Sequence, residues 1–320
     1  MSAAVDTRVH VTLDHLKGLK SAARHLSFLP KQRALSVLNG RHQSRLRGRG
    51  LNFEEMRAYR RGDDIRSIDW KATARTGSAH VRVFSEERDR PALLVVDQRM
   101  SMFFGSVLNM KSVTAAEAAS IAAHRILAVG DRVGGIVFNE ENLSELTPKR
   151  SENTVHAFLN RISIYNKELS ARKPVENAPN RFNRVLKSIS KVAHHDHMVI
   201  IFSDFAGVDD STERYLSAIA QHNDLVLALV FDPVERAVTT GPKAVLSDGV
   251  LQAEIDFSDR YVTDSLTELA RARLNRILSW QSQIRLSVLP LSSAQGTELQ
   301  VLQQLGHRAG RRGSKLGSAK

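Results

Sequence analysis

The chain of 320 residues has no cysteine, which excludes disulfides, thiolate zinc sites and cysteine nucleophiles. The absence fits a reducing compartment. The chain also lacks a run of about 18 to 20 apolar residues, which a membrane-spanning helix needs, and its first residues lack the apolar centre of a secretory signal. We therefore expect a cytoplasmic protein without a membrane span, whose metal chemistry is limited to oxygen and imidazole ligands.

Acidic residues are fewer than basic ones: 34 Asp and Glu stand against 46 Lys and Arg, a formal net charge of +12. The excess is concentrated in two segments without any acidic residue, the basic arm at 31–50 and the tail after Gly306. Such segments bind nucleic acid or anionic lipid in some proteins and are solvated in others. Association with nucleic acid through the basic arm is therefore one hypothesis for function.

From residue 92 onward, strand-like and helix-like segments alternate. Apolar runs predict strands at 92–96, 133–138, 198–203, 225–231 and 284–289. Helical spacing predicts helices at 112–129, 152–165, 181–193 and 258–282, while 143–147 is expected as an antiparallel edge strand and 244–256 as a hairpin. The alternation is typical of the α/β class, with a doubly wound, mostly parallel sheet and helices on both faces.

The N-terminal region has a different pattern. Residues 12–29 predict an amphipathic helix, and residues 80–84 alternate as a strand. We expect a helix, the basic arm and a charged segment at 1–90, the α/β domain at 91–290, and a C-terminal helix with a disordered basic tail at 291–320.

Two aspartates follow predicted strands. Asp97 ends the first apolar run, with Ser101 four residues later, and Ser203 and Asp204 end another. If the two strands are neighbours in a parallel sheet, both carboxylates emerge at one edge, where a hard cation such as Mg²⁺ would find oxygen ligands. The alternative is that each aspartate caps the helix or turn after its strand.

The segment GRGLNFEEMRAYRRGDDIRSIDWKATAR at 48–75 has the densest mixture of charges in the chain. Its charges alternate in sign, and Tyr59 and Trp70 are expected to pack beneath them. The candidate residues are Arg57, Tyr59, Asp63, Asp64, Arg66, Asp69, Trp70, Lys71 and Arg75. They form either a structural ion-pair network that fastens the basic arm to the sheet domain or a recognition surface for a protein partner, for which Tyr, Trp and Arg are favoured anchors.

This segment resembles the signature of the bacterial domain of unknown function 58 family, and the resemblance extends from about residue 11 to residue 289. The Asp-x-x-x-Ser pattern at 97–101, with Asp204, resembles the metal-ion-dependent adhesion site of von Willebrand factor A domains. Carried over by position, Asp97, Ser101 and Asp204 match metal ligands of that site. The resemblance implies a von Willebrand factor A-like fold.

Arg99 departs from the metal-site motif, because it stands where the motif has its first serine. No threonine is found near residue 181, where the motif has one. In an extended loop, the Arg99 guanidinium would lie between the carboxylates of Asp97 and Asp204 and could satisfy both without a metal. We therefore expect a degenerate site with no cofactor or weakly bound Mg²⁺, formed by Asp97, Arg99, Ser101, Ser203 and Asp204.

No phosphate-binding glycine loop and no nucleophile-elbow serine occurs in the chain. We therefore expect a non-enzymatic protein-interaction module. Such proteins resemble products encoded beside MoxR-type AAA+ ATPases, which are thought to act as chaperones in the assembly of complexes, so the resemblance implies an adaptor for such an ATPase. Two alternatives stay open: a nucleic-acid-associated basic protein, and a metal-dependent phosphoesterase that uses Asp97 and Asp204.

Overall fold

The computed structural model describes residues 6–23, 51–60, 63–86, 91–171, 180–235, 244–247, 252–255 and 260–305. The chain divides into two compact units, one of residues 41–89 and one of residues 1–40 and 90–320. The basic arm and the basic tail lie outside the described residues. None of the helices that the structure describes has both the length and the apolarity to cross a membrane.

The described secondary structure follows the predicted order. In chain order the strands are β1 (Leu51–Ala58), β2 (His80–Glu86), β3 (Ala92–Asp97), β4 (Val133–Phe138), β5 (Leu143–Lys149), β6 (Met198–Ser203), β7 (Asp224–Phe231), β8 (Ala244–Ser247), β9 (Gln252–Ile255) and β10 (Leu286–Ser292). The helices are α1 (Leu13–Gly18), α2 (Lys20–Ala23), α3 (Trp70–Thr76), α4 (Lys111–Ala128), α5 (Glu152–Glu168), α6 (Arg181–Val192), α7 (Asp210–His222), α8 (Arg260–Gln283) and α9 (Thr297–Leu305).

The larger unit is built on a six-stranded sheet in the order β10-β7-β6-β3-β4-β5. All neighbours are parallel except β4 and β5, which are antiparallel as expected. The predicted doubly wound, mostly parallel sheet is confirmed, and it is consistent with a von Willebrand factor A-like fold. The strand order reverses between β3 and β6, and ligands of open α/β sheets bind outside the carboxyl ends of the strands at such a point.

Both faces of the sheet are covered by helices. Successive side chains of a strand point to opposite faces, so Leu94 and Val96 of β3 join one core and Leu93 and Val95 join the other. The first core includes residues of α1, α2, α4, α5 and α9, and the second includes residues of α6, α7 and α8. Every residue of β3 is buried, which is why the strand could be recognised as a continuous apolar run.

The N-terminal helices belong to the core of the sheet domain. Thr12 caps α1 by accepting a hydrogen bond from the His15 amide, and Val11 and Leu16 are fully buried in the first core. The Asn166 side chain of α5 accepts a hydrogen bond of 2.8 Å from the Val11 amide. From the sequence we grouped residues 1–90 into one N-terminal region and did not predict that α1 and α2 pack in the core of the sheet domain. The predicted helix at 12–29 is two short helices in its described part, and residues 24–29 lie outside that part.

The smaller unit is an antiparallel pair, β1 and β2, with α3 between them in sequence. The predicted strand at 80–84 is confirmed as part of β2. The partner strand β1 was not predicted, because the adjacent Glu54 and Glu55, where the pairing with β2 shifts register, break the apolar alternation that identifies a half-buried strand.

One buried carboxylate joins three helices of the larger unit. Glu117 of α4 lies 2.7 Å from Nε2 of His15 on α1 and accepts a hydrogen bond of 2.5 Å from the Thr297 hydroxyl of α9. The hydrogen bond to Glu117 raises the pKa of His15. The charged form of His15 is therefore stabilised in the folded protein.

This pair predicts a pH-dependent contribution to stability. Because the folded pKa of His15 is raised, its contribution is fully present below the ordinary pKa of 6.5 and is lost as the pH rises through the raised value. We expect His15→Gln to lower the free energy of unfolding by about 1 kcal/mol in mild acid and by less in mild alkali. Urea unfolding at several pH values measures this difference, with exposed His194→Gln as the control. If His15→Gln lowers the free energy of unfolding more at alkaline pH than in acid, the prediction is wrong.

Candidate functional site

The two aspartates meet at one edge of the sheet. β3 and β6 are parallel neighbours, with Ala92 opposite Met198 and Val96 opposite Phe202. Asp97 ends β3, and Asp204 directly follows β6. Their side chains are 0% and 1% exposed, so two carboxylates are removed from water at the point where the strand order reverses. Burial of a charge is costly unless the charge is paired.

Asp97 is surrounded by donors from its own loop and from β6. Its Oδ1 accepts from Nε of Arg99 at 3.0 Å, and its Oδ2 accepts from Nη2 of Arg99 at 2.8 Å. The Arg99 amide donates to Oδ1 at 3.0 Å, and the Ser203 hydroxyl donates to Oδ2 at 2.6 Å. Both carboxylate oxygens therefore have at least two donors, and one donor group is a fork-like guanidinium that matches a carboxylate.

Arg99 is held between the two aspartates and two aromatic rings. Its Nη2 lies 4.0 Å from Oδ1 of Asp204, and its Cζ lies 5.8 Å and 5.3 Å from the ring centres of Phe138 and Phe182. Burial by itself lowers the pKa of Arg99, but the Asp97 carboxylate, with Asp204, outweighs burial and raises the pKa above its ordinary value. The guanidinium remains charged in this position.

A second buried cation, Lys111, completes the site. Its Nζ donates to Oδ2 of Asp204 at 2.8 Å, and its side chain is 3% exposed. Oδ1 of Asp204 accepts from the Ala206 amide at 3.0 Å and from the Ser101 hydroxyl at 3.3 Å. Burial alone raises the pKa of Asp204, but the nearby Lys111 and Arg99 charges lower it below its ordinary value.

Sequence reasoning missed Lys111. The predicted helix began at Ser112, so the lysine fell just outside it, whereas α4 begins at Lys111. The residues of α4 from Lys111 to His124 are all buried. A lysine at the start of a helix that is buried over most of its length needs a carboxylate partner, and the alanine-rich sequence that follows Lys111 was the available signal. The partner itself, 93 residues away in sequence, could not be inferred.

The residues near 181, where the metal-site motif has a threonine, make hydrogen bonds away from Asp97 and Asp204. Asn183 of α6 donates to the carboxylate of Asp209 at 3.0 Å and accepts from the Thr212 hydroxyl at 2.7 Å. Arg181 donates through Nε to the backbone carbonyl of Asn139 at 2.8 Å. Within the part of the chain that the structure describes, no group of three or more His, Cys, Asp or Glu residues is arranged to hold a metal ion.

The three aspartates of the signature segment have local structural partners. Arg57 and Asp63 form two parallel hydrogen bonds of 2.8 Å, and Arg57 lowers the pKa of Asp63 to about 2. Asp64 accepts from the Arg66 amide at the start of the short helical turn 65–67. Asp69 caps α3 by accepting from the amides of residues 71 and 72, both at 3.0 Å.

Trp70 does not pack beneath the charges, contrary to the expectation from sequence. Its surface is 66% exposed, and Tyr59 is half-buried. The physical reason is the capping of α3: Asp69 occupies the buried position at the helix start, and Trp70 follows it on the solvent side. The side chains of Arg66, Lys71 and Arg75 are exposed, and none of them hydrogen-bonds to an acceptor within the described residues.

Comparison with known proteins shows the family to which the chain belongs. The topology defines an α/β protein with a six-stranded, mostly parallel sheet. Residues 55–273 match the family described as "Protein of unknown function DUF58", and the chain belongs to that family.

The chain also resembles individual proteins. It is 29% identical over 257 residues to the uncharacterized protein Rv1480 of Mycobacterium tuberculosis, covering 79% of this chain and 78% of the relative. The uncharacterized protein Mb1516 of Mycobacterium bovis matches equally. A solved structure, the conserved hypothetical protein BatB from Bacteroides thetaiotaomicron, is 14% identical, with a TM-score of 0.38 over 68% of this chain and 98% of that chain.

The pairing of Asp204 with Lys111 predicts a large loss of stability when the cation alone is removed. Lys111→Met leaves the Asp204 charge buried with fewer partners, and we expect a cost of about 3 to 5 kcal/mol in the free energy of unfolding. Denaturant unfolding measures it. The exposed Lys187→Met on α6 is the matched control, with an expected cost below about 0.5 kcal/mol.

A double variant tests the physical reason for that loss. Adding Asp204→Asn to Lys111→Met removes the unpaired charge, so we expect part of the lost stability to return. Equal stability of the single and double variants would show that Lys111 contributes by packing its aliphatic chain and not by its charge.

Proposed function

We propose that this protein is a non-enzymatic interaction module that acts as an adaptor with a MoxR-type AAA+ ATPase in the assembly or maturation of a protein complex. The observation that carries the non-enzymatic part is the pairing at the sheet edge. A hydrolytic metal centre needs carboxylate oxygens directed at the ion. The oxygens of Asp97 and Asp204 are directed at Arg99 and Lys111.

The choice of partner is supported by membership in the DUF58 family. Such proteins resemble products encoded beside MoxR-type ATPases, which implies a shared task. An edge whose charges are fixed by two internal cations is also suited to recognition, because its loops are held in one arrangement before a partner arrives. Association with nucleic acid is the second candidate, supported by the net charge of +12, and it predicts binding that weakens steeply with salt.

Because Arg99 and Lys111 pair with the two aspartates, we predict that the wild-type protein does not need Mg²⁺ for its stability. We expect millimolar Mg²⁺ to leave the melting temperature of the wild type unchanged, since Arg99 already pairs with Asp97. In Arg99→Ser, which restores the Asp-x-Ser-x-Ser spacing, we expect Mg²⁺ to raise the melting temperature by about 3 °C. Thermal unfolding with and without a chelator provides the measurement.

Two results would revive the phosphoesterase alternative. One is stabilisation of the wild type by Mg²⁺. The other is hydrolysis of a generic phosphoester that is lost in both Asp97→Ala and Asp204→Ala. Hydrolysis that persists in both variants indicates a contaminating enzyme.

The adaptor role predicts a stable association in the native host. We expect the tagged full-length protein to co-purify with a MoxR-type ATPase, identified by mass spectrometry, and the tagged ATPase to recover this protein in return. Arg66→Ala should reduce the recovered ATPase, because Arg66 is an exposed residue of the signature segment, whereas Lys187→Ala on α6 should not. If the wild type recovers no such ATPase in either direction, the adaptor proposal is wrong.

A further inference from the structure

In the smaller unit, the aspartates of the signature segment make local structural contacts, whereas several of its cations are exposed. Each aspartate of the signature segment is used within a few residues: Asp63 pairs with Arg57, Asp64 caps the turn 65–67, and Asp69 caps α3. These contacts use three acidic groups and one cation of the segment in building the local structure. Asp69 is buried and Asp63 is paired with Arg57, whereas Asp64 stays exposed.

Three cations that follow Asp64 in the segment face the solvent. Arg66, Lys71 and Arg75 are exposed and have no hydrogen-bond acceptor for their side chains within the described residues. Lys71 and Arg75 are four residues apart on α3, a spacing that places both on the same side of the helix. Arg66 lies in the helical turn that immediately precedes α3.

Two large apolar side chains accompany these cations. Trp70, at the start of α3, is 66% exposed, and Ile65, at the start of the preceding turn, is 63% exposed. Tryptophan is highly buried on average and is enriched in binding interfaces, where its large surface is covered by the partner. An exposed tryptophan with an exposed isoleucine and three cations in eleven residues of chain is the composition of an interface anchor.

The backbone beneath these side chains is fixed to β2. The Asp69 amide donates to the carbonyl of His80 at 2.8 Å, and Ile68 forms a β-bridge with Val81. The two bonded residues lie between the turn and α3, so both elements are attached to the same strand. The side chains are thus presented from a backbone that is ordered before binding, which reduces the entropy lost on association.

We propose that Ile65, Arg66, Trp70, Lys71 and Arg75 form one docking surface for an acidic, partly apolar segment of a partner protein. The proposal rests on the adaptor function and specifies where and by what chemistry the partner is held. Carboxylates of the segment pair with the three cations, and an apolar side chain of the segment covers Trp70 and Ile65. The exposed aliphatic Ile65 favours a protein segment over nucleic acid, since an apolar side chain does not assist the binding of phosphate.

The test uses the full chain and a fluorescent synthetic peptide of alternating Glu and Leu residues, with binding followed by anisotropy. We expect the triple variant Arg66→Glu, Lys71→Glu and Arg75→Glu to weaken binding at least about tenfold. The matched control reverses the same number of exposed charges on α6, at Arg184, Lys187 and Lys191, and should change affinity less than about twofold. Equal loss in both triple variants would overturn the proposal, because it would show attraction by net charge alone.

The apolar part of the surface is tested separately. Trp70→Ala should weaken peptide binding by about tenfold, whereas Val107→Ala, at a residue that is 70% exposed in the larger unit, should not. In the wild type, the peptide should shift the tryptophan emission to shorter wavelength, and this shift should be absent in Trp70→Ala, which retains the buried Trp280. This measurement on the wild type decides the question even if the triple variant fails to fold. An unchanged emission on saturation with peptide excludes a contact with Trp70.

Two further results separate this surface from the adaptor proposal. If the ATPase co-purifies equally with the wild type and the folded triple variant, the adaptor function stands and this docking surface is wrong. If the peptide binds as described but no ATPase is recovered, the surface stands and the ATPase is not its partner. Binding of oligothymidylate that competes with the peptide and is lost in Trp70→Ala would assign the surface to nucleic acid instead.

Discussion

The structure depends on the neutralisation of two buried carboxylates at the carboxyl ends of two central strands of a mostly parallel sheet. Asp97 and Asp204 are almost completely removed from water, and charges in that position are tolerated only with partners of opposite sign and enough hydrogen bonds. Arg99 supplies one partner from the loop after β3, and Lys111 supplies the other from the first residue of α4. The course of the loop and the position of the helix start are therefore tied to the same electrostatic requirement.

An arginine two residues after Asp97 meets this requirement in a different way from a metal ion. A bound ion depends on its concentration and exchanges with solvent, whereas a guanidinium attached to the same loop is always present. Its planar donors also hold both oxygens of Asp97 at once, and the rings of Phe138 and Phe182 lie near its charge. In the proposed function, this edge is consequently a permanent feature of the protein and not one that is switched by metal.

The sequence predicted those parts of the structure that depend on local patterns. The parallel strands are continuous apolar runs because they are buried on both faces, so β3 and β6 were recognised with bounds correct to within one residue. The ion pair of Lys111 with Asp204 was not predicted, because the two residues are 93 positions apart and only the fold brings them together. β1 was missed because its charged residues conceal the period of the strand, and its pairing with β2 depends on a partner some 30 residues away.

The error at Trp70 has a more specific cause. Alternating charges suggested mutual ion pairs above a buried aromatic residue, but an aspartate just before a helix has a closer set of partners in the free amides of the first turn. Asp64 and Asp69 both take this role, which leaves the cations that follow them without their nearest acids and places Trp70 on the solvent side of α3. Helix capping thus decides which side chains are buried at this point of the chain: Asp69 is buried at the start of α3, while Trp70 and the cations Lys71 and Arg75 are exposed and remain available to a partner.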